Sequence, residues 1–114
     1  MRIISESEEQ REFVSWFRKT HPEHWIFSIP NGGNRNVVTA ARLKVEGLSA
    51  GVPDLFIPSL RTFIEMKRVG GKLSENQIKW IDYLSKQDYN CIVAYSFEDA
   101  KTKIESAIQS LGIW

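Results

Sequence analysis

The stretch GVPDLFIPSLRTFIEMKR, residues 51–68, constrains this chain more than any other. Two apolar runs, DLFIP and TFIEMK, flank a turn region around Ser59-Leu60, which is the pattern of a β-hairpin. Strand side chains alternate faces, so Phe63, Glu65 and Lys67 share one side while Ile64 and Met66 share the other. A hairpin centred between Ser59 and Leu60, with a loop of two or four residues, sets Asp54 opposite Glu65. Directly opposed residues bring their Cβ atoms to about 4.5–5.5 Å, where like charges destabilise the pair. Two carboxylates so placed need a proton or a cation between them. A hard divalent ion with oxygen ligands, such as Mg²⁺, meets that need. Lys67 lies two residues further along the same face, where an amine can orient water or steady charge on a phosphate. The plain alternative is an exposed hairpin face on which Glu65 pairs with Lys67 and Asp54 caps a turn.

The rest of the chain alternates helices and strands around this hairpin. Ser5 with Glu8 makes a capping box for a helix from about residue 6 to Thr20, with Phe13, Trp16 and Phe17 at helical spacing. WIFSIP (25–30) reads as a strand closed by proline, and NGGNRN (31–36) as a loop. VVTAARLKVEG reads as a short helix stopped by Gly47. Ser74 caps a helix whose apolar positions are Ile78, Trp80, Ile81 and Leu84. CIVAYS (91–96) is a short apolar strand, and a last helix starts near Ser96 with Asp99 as its box partner. Strands interleaved with helices in this order predict an α/β sandwich around a mixed sheet. A right-handed crossover then sets 91–96 parallel to 62–67.

Size and composition narrow the function classes. The 114 residues suffice for one core and are read as a single domain, 1–114. With 42% apolar and 25% charged residues the chain is globular rather than disordered. No apolar run approaches the ~20 residues of a membrane helix, and the start MRIISESEEQREF is too acidic for a signal or transit peptide. Cys91 is the single cysteine, so no intrachain disulfide forms, and it reads as a buried strand thiol in a cytoplasmic protein. Net charge is +1, yet residues 31–72 carry seven basic residues against three acidic, while the remainder carries eight against eleven. A local basic field of that kind can hold a phosphate backbone even on a nearly neutral protein.

Four motifs, taken in order, resemble one family. Pro53-Asp54 followed by Glu65-Met66-Lys67 is similar to the PD-(D/E)xK nuclease signature. Glu6-Ser7 with Gln10, Gly51 with Pro53-Asp54, and the run Glu65, Lys67, Arg68, Gly70, Gly71, Lys72, Leu73, Ser74, Gln77 resemble its VRR-NUC branch, in the stand-alone, phage-type form. The likeness spans essentially the whole chain. It implies a restriction-endonuclease-like α/β fold, a mixed central sheet flanked by helices with an αβββαβα core, into which the 37–46 helix is inserted.

The resemblance also implies a chemistry, a metal-dependent DNA endonuclease hydrolysing phosphodiester bonds. Asp54 and Glu65 then hold Mg²⁺ or Mn²⁺, the backbone carbonyl of Met66 adds a ligand, and Lys67 positions or activates the attacking water. The family's first-helix acid maps to Glu6, with Glu9 as fallback. Gln77 maps to the family's helix glutamine, although it also completes a capping box with Ser74 unaided. Arg35, Arg68 and Lys72 are the DNA-contact candidates. His21 and His24 read as a surface turn, and Trp16, Trp25, Trp80 and Trp114 as core or interface anchors, with Trp114 the candidate subunit contact. No reader module is visible, so branched DNA of the Holliday junction or flap type is the expected substrate. A homodimer would supply the two active sites for a symmetric cut. Neither a membrane nor a nucleotide cofactor is expected. A sequence-specific restriction-type enzyme and a catalytically silent DNA-binding module on the same fold are the rival readings.

Overall fold

The computed structural model describes residues 4–30 and 37–111. Helix α1 spans Glu6–Thr20 and opens as its sequence dictates: the Ser5 hydroxyl accepts from the Glu8 backbone N–H at 3.1 Å, and the Glu8 carboxylate accepts from the Ser5 N–H. Strand β1 is Phe27–Ser28, α2 is Val37–Val45, β2 is Leu55–Ile57, β3 is Thr62–Met66, α3 is Glu75–Lys86, β4 is Asn90–Ala94 and α4 is Phe97–Ser110. The strands form one mixed sheet in the order β1-β2-β3-β4. The first two pairings are antiparallel and β3 runs parallel to β4.

The hairpin register is the one strand parity requires. Leu55 pairs with Ile64, Phe56 with Phe63 and Ile57 with Thr62. The loop has four residues, a 3₁₀ turn over Pro58–Leu60 followed by Arg61 in the left-handed region at φ 48°. Arg61 there stacks its guanidinium 4.2 Å from the Tyr89 ring centre.

Alternation along the hairpin sorts its side chains into two layers. Leu55, Ile57, Ile64 and Met66 are buried with Phe13 and Phe17 of α1 and with Ala100, Ile104 and Ile108 of α4. The opposite face carries Phe63 stacked on Phe56 at 4.2 Å, with Tyr89 edge-on to both. Helix α3 packs on that side, and the Cys91 thiol points to the Ile81 carbonyl. Strand β3 is thus covered from both sides, which is why Glu65 and Lys67 are buried despite their charge. Glu9, also buried, accepts the Phe97 backbone N–H at 2.9 Å and so ties α1 to the start of α4.

Several local expectations are corrected. The strand at 25–30 shortens to Phe27–Ser28, because it lies at the sheet edge with Trp25 81% exposed; Trp25 is therefore not a core anchor. The Asp99 carboxylate does not close a box on Ser96; it accepts from the Tyr95 N–H and pairs with Lys103. His24 is no surface residue: it is buried, with Nδ1 2.7 Å from the Ser59 hydroxyl, and so ties the α1–β1 connection to the hairpin loop. His21 sits half-buried, 3.1 Å from Glu105. Cys91 is half-buried rather than enclosed. Trp16 packs against the core as read, while Trp114 lies outside the described residues.

Gly51 couples the hairpin to α3. Its φ is +94°, and a Cβ there would meet the Asn76 backbone carbon at 2.6 Å. Gly51→Ala is therefore expected to cost about 1–3 kcal/mol through backbone strain and collision. A chemical-denaturation series compares it with wild type, and a loss well below 1 kcal/mol contradicts the close approach.

Candidate active site

The segment just before β2 is positioned by Asp54 itself. Its backbone carbonyl accepts the Ile29 N–H at 2.8 Å, and its carboxylate accepts the Met66 N–H at 2.7 Å. One residue therefore joins β1 to β3 across the open end of the hairpin. Continued one step past the Leu55–Ile64 pair, the same register brings Asp54 beside Glu65, near enough to raise the Glu65 pKa. Met66 keeps its side chain in the core, 1% exposed, so only its backbone can serve the site. Lys67 follows on the Glu65 side, fixed by its own N–H donating to the Ala94 carbonyl at 2.7 Å.

Two helix starts complete the cluster. Gln77, in the first turn of α3, uses both ends of its amide: its carbonyl accepts the Ser74 N–H at 2.8 Å, and its NH₂ donates to Glu65 Oε2 at 3.1 Å. The capping box and the site contact hold together. On α1, Glu6 brings a carboxylate oxygen 3.9 Å from the Lys67 amine. Glu9, the fallback, instead accepts the Phe97 backbone N–H through its carboxylate at the start of α4. The Gly70-Gly71 turn passes beside Glu6, as a Cβ on Gly71 would lie 3.5 Å from that carboxylate. Arg68 and Lys72 flank this turn and are exposed at the edge of the cluster. Arg35 lies outside the described residues.

The electrostatics centre on Glu65. Burial first, and then the neighbouring Asp54 carboxylate, push its pKa up to about 8, with Lys67 pulling the other way. Its Oε1 is buried without a hydrogen-bond partner. A buried carboxylate oxygen left unpaired is costly, and an orphaned oxygen beside a second carboxylate fits a hard cation. Among the described residues no three acidic, histidine or cysteine side chains form a closed cage. Mg²⁺ does not require one, since it is commonly held by one or two carboxylates with substrate phosphates and water filling the rest. Asp54 and Glu65 are the residues able to hold such an ion. Sequence reasoning missed the Asp54–Met66 hydrogen bond, because a side chain replacing a backbone rung leaves no periodic signal.

The family model for the VRR-NUC domain matches residues 1–98, most of the chain. The chain belongs to the VRR-NUC family. A solved structure described as a VRR_NUC domain protein has the same fold, with a TM-score of 0.79 at 24% identity, over 95% of this chain and 91% of that one. No curated protein sequence matches significantly. VRR-NUC domains are generally nucleases, and membership implies DNA as the substrate. The matched region of this VRR-NUC domain ends just after α4 begins, so it takes in every residue of the cluster. No helix among the described residues is long and apolar enough to cross a membrane.

Proposed function

We propose that this VRR-NUC domain is a metal-dependent, structure-specific DNA endonuclease in which Asp54 and Glu65 hold Mg²⁺ or Mn²⁺. The observation that carries the reading is the buried, unpartnered Glu65 Oε1 beside Asp54, with the Lys67 amine on the same face. A bound divalent ion supplies Lewis acidity and charge neutralisation at the scissile phosphate. Asp54, tied to Met66 and Ile29, stands beside Glu65. Gln77 occupies one Glu65 oxygen and so leaves the other for the ion. Lys67, held between Glu6 and Glu65, orients the attacking water and stabilises the negative charge that builds on the phosphoryl oxygens. Glu6 is a positioning residue that acts through Lys67. The Met66 carbonyl is the proposed backbone ligand, and Arg68 and Lys72 are proposed to contact the DNA backbone.

Branched DNA of the junction or flap type is the proposed substrate, because no groove-reading module is seen among the described residues. A homodimer would place two such sites for paired cuts. The test incubates labelled four-way junction, 5′ flap, single strand and duplex with the protein in Mn²⁺ or EDTA. Cleavage of the branched substrates in Mn²⁺ alone is the expected result. Cleavage that persists in EDTA overturns the mechanism, and cutting of linear duplex at one fixed sequence favours a restriction-type enzyme instead.

A further inference from the structure

Between α1 and the edge strand β1 runs an open groove of roughly 1110 Å³ with Glu6 and Asp54 among its lining residues. The α1 wall of this groove is a single helical face built from Ser7, Gln10, Arg11, Ser15, Arg18 and Lys19, interrupted only by Val14. At 1.5 Å per residue, the distance from Glu6 to Lys19 along the helix is about 20 Å. Charge changes sign along that length, from the two carboxylates at the site to three cations farther on.

The helix dipole does not account for this face. It favours cations in the last turn, which covers Arg18 and Lys19, but it gives no reason for Arg11 in the second turn. Packing does not account for it either, since Arg11 and Lys19 are exposed. Neither has a carboxylate partner among the described residues. Arg18 differs, because its guanidinium donates to the Ile26 carbonyl across the groove and helps set the width.

We infer that this groove is the track for one strand's phosphodiester backbone on its way to the Asp54–Glu65 cluster, with Arg11 and Lys19 as its phosphate contacts. The inference rests on the nuclease reading above and locates the grip on α1, which lies outside the basic 31–72 segment of the sequence. The mixture of hydroxyls, an amide and cations suits sequence-independent backbone contacts, which position DNA without reading it.

The test measures binding of the metal-free protein to a junction, a duplex and a single strand by fluorescence anisotropy across a salt series. Each lost phosphate contact removes about 0.9 from the slope of log K against log salt on duplex and about 0.7 on single strand. Arg11→Ala/Lys19→Ala is expected to lower the slope by about 1.8 on duplex arms or about 1.4 on a single strand. The control Lys79→Ala/Lys86→Ala, two cations on α3, is expected to leave it unchanged. An unchanged slope in the groove variant, or an equal loss in the control, overturns the track while leaving the nuclease reading standing. Absence of DNA binding by wild type overturns both. Circular dichroism of the variants separates lost contacts from lost fold.

Discussion

Asp54→Asn is expected to lower metal-dependent cleavage by about 10³-fold or more while leaving the fold in place. Charge stabilisation by a site metal is worth several kcal/mol, and each 1.36 kcal/mol is tenfold in rate. Asparagine removes the negative charge, yet its side-chain carbonyl can still accept the Met66 N–H, and the backbone bond from Ile29 is untouched. The substitution also relieves the repulsion that Asp54 exerts on Glu65. A melting temperature at or above that of the metal-free wild type should accompany the lost activity. Single-turnover cleavage of a labelled junction in Mn²⁺, beside a thermal melt, measures both. Retention of more than a tenth of the wild-type rate removes Asp54 from the proposed metal site.

Glu65→Gln is expected to have opposite effects on stability and on metal response. Glu65 carries an ordinary pKa of 4.5 in the unfolded chain and about 8 in the fold, chiefly through burial. The folded protein therefore holds a proton that the unfolded chain releases. Its stabilising contribution is complete below about pH 4.5 and is lost as pH rises toward and through about 8. Metal-free wild type should accordingly melt at progressively lower temperature, relative to Glu65→Gln, between about pH 5 and 8. Glutamine keeps an acceptor for Gln77 and carries no charge to bury, so the variant should lack this pH dependence. At pH 8 it should melt several degrees higher, given about 4–8 °C for each kcal/mol in a domain near this size. Mn²⁺ should raise the melting temperature of wild type, more at pH 8 than at pH 6, because the ion competes with the proton. In Glu65→Gln that shift should disappear. A variant that melts below metal-free wild type at pH 8 contradicts the electrostatic account, and an undiminished Mn²⁺ shift contradicts the ligand role.

Much of this architecture was legible residue by residue. The capping boxes at Ser5-Glu8 and Ser74-Gln77 marked the starts of α1 and α3, because a cap satisfies backbone donors through local bonds. The 51–68 hairpin and its register followed from strand parity, which permits no one-residue slip without moving Leu55, Ile57, Ile64 and Met66 out of the core. The edge strand covers only Phe27–Ser28, and Trp25, apolar by letter, lies outside it and 81% exposed. His24 is buried beside Ser59, a partner 35 residues away that no local pattern announces.

The site divides along the same line. Sequence alone placed Asp54, Glu65 and Lys67 on one face of the hairpin, because strand alternation is a local property that the order of residues carries. Tertiary structure decided the rest. Only the packing of α1 over the sheet brought Glu6 near Lys67 and Glu9 onto the Phe97 backbone. Only the approach of α3 let Gln77 cap its own helix and hold Glu65 at once. Only the gap between α1 and β1 gathered Arg11 and Lys19 into a groove ending at Asp54. These relations join residues from elements that meet through side-chain packing, and no spacing along the chain encodes which faces will meet.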